Sequence, residues 1–468
     1  MPAPVPSVLV IGAGPAGIGA IEQFKRKGFE VVAFDARDRP GGLWNYTAKP
    51  PPCKVIFDAN GFAVALSDLE HAGLPAPAPS PVYGSVTANT PSPIMNYRGH
   101  PYPEGTEFLP TREVIHGYLL DHAAKYKEHI RLNRVITRVY HTPSSLSPSK
   151  RWSVEWQPSV SALSDPVGAP TVEQFDYVVV ANGSDSRPFI PYVEGLWHYK
   201  GEIMHSRWWR GPETYAGKNV LVVGRGPSSA DIVRELGMAK VKNASHQPKQ
   251  IWRSVRSTVF RYDTEQEKTW PAHVQVVGNI KLVRPPATVV LEDGTELGSV
   301  DVIVFATSFL ARFEFLKPTD APFQNKPLVW APRAPESAVK PSAEFIGPSQ
   351  LEGGRRVHNL DSLGIFYLPD PTLAFLLLHH EAIPWPFAEV QSRFVASIWS
   401  GQTSLDLKPS PTESSDDHAE FVLGHPGEYD YAENLLRLIG EGGEEEIDAE
   451  GRWGVLPAWK KKVRADID

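Results

Sequence analysis

Across 468 residues there is one cysteine, Cys53, and there are only four methionines. A single thiol excludes an intrachain disulfide framework and any dithiol redox pair, and it makes a thiol or metal enzyme a poor expectation. His379-His380-Glu381 lacks a ligand spacing such as His-Glu-x-x-His, so no metal site is expected there. No apolar run approaches the ~18 residues of a membrane span. The longest candidate, Ala374 to Leu378, has the length of a core strand or turn. Positive charge is not in excess either: 47 Lys+Arg against 54 Asp+Glu give a net charge of −7, which removes the basic footprint of a nucleic-acid binder. The first strand signal starts at Ser7 and leaves no room for a signal peptide, so a soluble cytoplasmic protein is the expectation.

Proline is what the chain has in plenty. Its 45 residues are about twice the usual ~5%, and nine of them fall between Pro50 and Pro93, where hydrophobic periodicity disappears. With 41% hydrophobic and 22% charged residues the rest reads as ordinary globular chain. By length alone it would make about three domains.

Ser7 to Ile11 is a continuous apolar run suited to a buried parallel strand. Gly12-Ala-Gly14-Pro15-Ala16-Gly17 follows, then a helical pattern from Ile18 to Lys27, and a second apolar strand from Glu30 to Phe34 that ends in Asp35. In such a unit Gly12 permits the tight turn, Gly14 admits a pyrophosphate to the backbone, and Gly17 allows close packing of helix on strand. The helix N-terminus offers amides and partial positive charge to phosphates. Asp35, 18 residues beyond Gly17, stands where a carboxylate reaches ribose hydroxyls.

The same pattern returns 212 residues later. Asn219 to Val223 is a strand, Gly224-Arg-Gly226-Pro227-Ser228-Ser229 a turn, and Ala230 to Leu236 the start of a helix. Phe175 to Val180 and Val300 to Phe305 read as a matching pair of buried strands, the latter ending in Ala306-Thr-Ser308. Here the third glycine position holds Ser229, which should part helix and strand slightly. The next strand, from Gln250, ends at Arg253 with Arg256 beyond it and no carboxylate. Arginine attracts a 2′-phosphate that an acid would repel, which favours NADPH over NADH.

Two nucleotide turns in one chain suggest electron transfer between a nicotinamide and a flavin. Gly12 to Gly17, followed by Gly41-Gly42-Leu43-Trp44, resembles the flavin-containing monooxygenase family. Asn89-Thr90-Pro-Ser-Pro-Ile-Met95, His-Pro-Tyr-Pro at 100–103, the run from Tyr199 to Trp209, Gly224 to Asp231, Phe305 to Ser308 and Gln391 to Gly401 match it in order and spacing. It is similar to the soluble microbial and fungal members, which also carry a proline-rich stretch after the Gly-Gly-x-Trp segment.

The resemblance implies an α/β fold of two Rossmann-like domains. A FAD-binding domain would occupy 1–183 and 309–468, with the Pro-rich insertion at 47–93, and a NADP-binding domain would be inserted at 184–308. It implies that Gly12, Gly14, Pro15, Ala16, Gly17, Asp35, Gly42, Leu43 and Trp44 hold FAD. Gly224, Gly226, Pro227, Ser228, Ser229 and Arg253 would hold NADPH. Asn89, with Thr90, would contact the flavin and nicotinamide and be the catalytic residue. Tyr199, Gly201, His205 and Trp209 fall on the family's fingerprint, where His205 is expected to support domain packing rather than move a proton. Three residues depart from the family pattern: Tyr199, Ser229 and Ser308.

The activity implied is oxygenation of a soft nucleophile, nitrogen or sulfur, by O₂ through a C(4a)-hydroperoxyflavin. A small N- or S-containing molecule would be the partner, and a homodimer is compatible with it. Two rivals stay open: a Baeyer–Villiger monooxygenase acting on ketones, toward which Trp209 leans, and a non-catalytic nucleotide-binding interaction protein. The Pro-rich insertion and the C-terminal third are expected to form the substrate pocket. The tail from Gly440, with its acidic cluster Glu441 to Glu446, reads as solvated surface.

Overall fold

The opening apolar run forms strand β1 (Ser7–Ile11), buried throughout, in a computed structural model that describes residues 4–143, 150–184, 187–242, 247–256, 274–410, 422–444, 447–448 and 451–466. Helix α1 (Pro15–Arg26) and strand β2 (Glu30–Phe34) follow. The helix starts at Pro15 rather than Ile18, because proline's fixed φ suits the first helical position.

The aperiodic Pro-rich stretch is not devoid of regular structure. It holds an antiparallel hairpin of β3 (Lys54–Phe57) and β4 (Ala63–Leu66), then a one-turn helix α2 (Asp68–His71) closed by a Ser67/Glu70 capping box. Four-residue strands are too short to show a period, and the hairpin turn is made by a side chain: Asp58 Oδ1 accepts the amides of Asn60 at 2.8 Å and Phe62 at 3.0 Å. Next come α3 (Arg112–Ala124) and β5 (Ile130–Arg131). An antiparallel meander of β6 (Arg134–His141), β7 (Trp152–Pro158) and β8 (Thr171–Phe175) leads to β9 (Tyr177–Val180). Phe175 to Val180 is therefore two strands and not one. Asp176 separates them by accepting from the Ser7 amide at 2.8 Å and the Ser7 hydroxyl at 2.6 Å.

Strand β10 (Arg187–Pro188) carries the chain to a second unit of β11 (Glu202–His205), β12 (Asn219–Val223), α4 (Pro227–Lys242), β13 (Gln250–Ser254) and β14 (Val274–Val277). A second meander, β15 (Ile280–Arg284), β16 (Thr288–Leu291) and β17 (Glu296–Leu297), precedes β18 (Val302–Phe305). Strand β19 (Phe309–Leu310) returns antiparallel to β10, and β20 (Leu373–Phe375), α5 (Pro384–Trp399), α6 (Gly427–Leu438) and α7 (Ala458–Ala465) finish the chain.

The two halves share one plan. One parallel sheet has the order β20-β9-β1-β2-β5 and the other β11-β18-β12-β13-β14, so the glycine turn follows the central strand of each. Asp301 accepts from the Asn219 amide at 2.7 Å, as Asp176 does from Ser7, and so the second strand also begins late, at Val302. The fold is α/β, built on two five-stranded parallel sheets. In the first sheet Val8 and Val10 pack with α1 and α5, while Leu9 and Ile11 pack with the first meander, which explains a strand apolar on both faces.

The tail is docked rather than solvated. Arg393 on α5 donates Nε and Nη2 to the two oxygens of Glu441, each at 2.7 Å, and both side chains are buried. Trp453 lies under the guanidinium groups of Arg98 and Arg393, and Arg464 on α7 donates to Glu428 at 2.8 Å. The two ion pairs join residues 48 and 36 apart, beyond the reach of any local pattern. Glu445 and Glu446 of the acidic cluster lie outside the described residues.

The acid on α5 has no cation bonded to its carboxylate among the described residues. Glu389 is fully buried, with Oε2 accepting the Arg98 amide at 2.9 Å, and burial pushes its carboxyl up to about 8. Burial also acts on neighbouring Glu22, but hydrogen bonds from His122, Arg26 and Tyr126 outweigh it and bring that group down to about 2. Between about 4.5 and about 8 the unfolded chain has released the Glu389 proton while the folded chain keeps it. Each pH unit in that window then costs wild-type stability up to about 1.4 kcal/mol. Glu389→Gln removes this linkage. Its urea midpoint should exceed that of wild type increasingly from pH 5 to pH 8, and parallel curves would contradict the buried-acid assignment.

Candidate active site

The first glycine turn is held by packing that excludes side chains. Gly12 has φ +106°, and a Cβ there would stand 2.6 Å from Ala181 O at the end of β9. A Cβ on Gly17 would stand 1.9 Å from Gly12 O. Gly14 caps α1 without any side-chain bond, which leaves the helix N-terminus to a ligand. Gly41, at φ +110°, donates to Ala13 O at 2.8 Å, so that Gly42 lies against Gly14. Buried Asp35 accepts the Ala13 amide at 2.7 Å and the Arg37 amide at 2.8 Å, one on each oxygen. Burial raises its carboxyl even so, with each oxygen keeping a lone pair for a hydroxyl donor.

The second turn has the same frame and a different brace. Gly224, at φ +140°, would put a Cβ 2.3 Å from Ala306 O, the counterpart of Ala181. Gly226 has open space where its Cβ would be, and Pro227 and Ser228 are exposed at the helix start. Ser229 does not part helix from strand. Its buried hydroxyl donates toward Gly224 O and Gly226 O, at 2.7 and 3.0 Å, and accepts from Arg253 Nη2 at 2.9 Å. Arg253 is fully buried and also donates to Arg225 O at 3.0 Å. This differs from the reading of Arg253 as a phosphate ligand: the guanidinium is engaged inside the turn, standing in for the packing a third glycine gives. Arg256 instead lines a cavity of about 120 Å³ with Ser184, Thr307, Ser308, Phe309 and Arg355, where strand ends of both sheets meet.

Trp44 packs edge-on against Trp385, 6.0 Å between ring centroids, and a Cβ on Gly41 would stand 3.1 Å from His116 of α3. The lead into α3 is paired with the chain at Asn89. Thr87 and Thr111 form an antiparallel bridge, with Ala88 N donating to Pro110 O at 2.9 Å and Arg112 N to Val86 O at 3.1 Å. Ala88 and Pro110 turn inward, whereas Thr87, Asn89 and Leu109 are exposed on the other face. Asn89 therefore shares its face with an apolar side chain, while Ala88 on the inner face belongs to the cluster against which Trp44 packs.

Residues 76–263 match the model of the flavin-binding monooxygenase-like family, and residues 10–68 that of the NAD(P)-binding Rossmann-like domain. The flavin-containing monooxygenase iboF of Amanita muscaria is 28% identical over 449 residues, covering 86% of this chain and 80% of that one. The flavin-containing monooxygenase FMO GS-OX5 of Arabidopsis thaliana is 27% identical over 439 residues, covering 90% and 80%. The chain is similar to flavin-containing monooxygenases over most of its length. It is an oxidoreductase that uses FAD and NADPH. The solved structure of S-allyl-L-cysteine S-oxygenase from Allium sativum shares the fold, with a TM-score of 0.72 at 22% identity over 99% of this chain and 92% of that one. The uncapped helix α1 and the open position at Gly226 fit the phosphates of the two dinucleotides.

The fingerprint residues are internal. The Tyr199 hydroxyl donates to Val300 O at 2.8 Å, and a Cβ on Gly201 would strike that same ring and Asp301 O. His205 accepts the Arg207 amide on Nδ1 at 3.1 Å, so its proton is on Nε2, given to Ser308 O at 2.9 Å. Burial takes this imidazole down to about 3, so it stays neutral and ties β11 to the return crossing. Ser308 holds φ +69°, as Gly183 holds +80° at the matching place after β9. Trp209 is wholly buried, stacked on Tyr215 and donating to Glu235 at 2.8 Å.

Several participants escaped the sequence reading. Arg210 donates to Thr47 O at 2.7 Å and Ser80 O at 2.8 Å, gripping the insertion at two points. Within the insertion, β3 and β4 pack onto the second unit's core and the β10–β19 crossing. Cys53 is packed against that same core, and burial pushes its thiol up to about 12. Among the described residues no cluster of His, Cys, Asp or Glu could hold a metal, and no helix is long and apolar enough to cross a membrane.

Proposed function

We propose that this enzyme oxygenates a soft nucleophile, the sulfur of a thioether or the nitrogen of an amine, in the cytoplasm, with Asn89 as its catalytic residue. Residues 1–183 and 309–468 form the FAD unit in this reading and residues 184–308 the NADP unit. Gly12, Gly14, Gly17 and Asp35 receive FAD, with Gly42, Leu43 and Trp44 beside it. Gly224, Gly226 and Ser228 receive the NADPH pyrophosphate, and Arg256 takes the place given to Arg253 as the cation for the 2′-phosphate. When bound, FAD takes a hydride from NADPH and makes O₂ able to give one oxygen atom to the substrate.

The protein's own part is to position and to exclude water. The Asn89 amide can donate and accept at once, which suits a group set between two cofactors. Leu109 on the same face and Phe108 next to it, 43% and 53% exposed, present an apolar wall to a substrate. The observation that carries the proposal is this exposed Asn89–Leu109 face, borne on a segment whose inner residue, Ala88, lies in one cluster with Trp44. A lone pair on sulfur or nitrogen needs no base to activate it, and none stands on that face.

The test follows NADPH oxidation and peroxide release with a thioether, a tertiary amine and a cyclic ketone. Product should match NADPH consumed for one or both of the first two. Coupled turnover with ketones alone would overturn the proposal.

A further inference from the structure

Helix α4 carries the second glycine turn at its start and a pair of acids one and two turns further on. Asp231 and Glu235, at i and i+4, share one face, and that face meets the insertion. The Tyr83 hydroxyl donates to Asp231, and the Ser85 hydroxyl to Glu235, whose other oxygen accepts from Trp209. Tyr83 is buried in the second unit's apolar core. From there the chain runs only six residues to Asn89, tied along the way by Arg112, which donates Nε to Gly84 O at 3.2 Å and its amide to Val86 O at 3.1 Å.

We infer that Tyr83 and Ser85 are positioning residues that set Asn89 according to where helix α4 sits, so that NADP⁺ on the second turn is sensed at Asn89. The route is separate from the β10–β19 crossing. The inference rests on reading the second turn as the NADP site. It adds a route by which one cofactor site reports its occupancy to the residue beside the other.

Amide hydrogen exchange of residues 84–90 in the FAD-loaded enzyme, with and without NADP⁺, reads the coupling directly. In wild type NADP⁺ should slow exchange there about tenfold, the effect of two net hydrogen bonds. In Tyr83→Phe/Ser85→Ala, NADP⁺ should still bind with a Kd within about twofold of wild type, because neither hydroxyl is at the turn, while the protection disappears. Each single variant should lose part of it. A merely structural role would raise exchange equally with and without NADP⁺, and that result overturns the inference. So does protection kept in the double variant, or NADP⁺ binding to wild type without protection. Failure of NADP⁺ to bind at all would sink the reading of the second turn and this inference with it.

Discussion

Gly17→Ala should yield protein with less than about a tenth of the wild-type flavin content, if it folds at all. The methyl group would stand 1.9 Å from Gly12 O and 2.9 Å from Gly12 C, both backbone atoms of the turn that no rotamer change moves aside. Relief requires α1 to lift from β1. That helix buries Ala16, Ala20, Ile21 and Phe24 against the first sheet and α5, so lifting it opens a core packed at crystal-like density. Overpacking of this kind costs roughly 1–3 kcal/mol or more, and the helix N-terminus moves away from its phosphate.

Gly226→Ala supplies the contrast. Nothing stands within 4 Å of the added methyl, so flavin content and melting should match wild type. The methyl occupies space a pyrophosphate would use, so NADPH should bind more weakly. Visible absorbance of the purified proteins and NADPH titration check both. A yellow, stable Gly17→Ala would show that the turn tolerates what its geometry forbids.

The repeated strand–turn–helix unit was legible in the sequence because β-branched runs and glycine spacing are local signals. The structure adds the detail that the repeat extends to Asp176 with Asp301, Ala181 with Ala306, and Gly183 with Ser308, each pair 125 residues apart. What was not legible depended on partners distant in sequence. Arg253 at a strand end beside a nucleotide turn resembles a phosphate ligand, and only its bonds to Ser229 and Arg225 show that it braces the loop. Ser229 looked like a loss for the same reason. The charged tail looked solvated until Arg393 and Arg464 were found paired with Glu441 and Glu428. The hairpin at 54–66 had strands too short for a period, and the apolar partner of Asn89 became visible only through the Thr87–Thr111 bridge.

Asn89 carries the largest catalytic expectation. Asn89→Ala removes an exposed amide, with no buried group left unpaired, so FAD binding and folding should be unchanged. What it takes away is the amide that the proposal sets between flavin and nicotinamide. Losing a single such donor costs about 10²–10³ in comparable sites, and here the loss should appear as oxygen diverted to peroxide rather than as slower NADPH consumption.

The decisive measurement is oxygenated product and hydrogen peroxide formed per NADPH consumed, for wild type and Asn89→Ala on the same thioether or amine. The account predicts close to one product per NADPH in wild type, and in the variant continued NADPH oxidation with peroxide in place of product. An unchanged product yield in Asn89→Ala would contradict it.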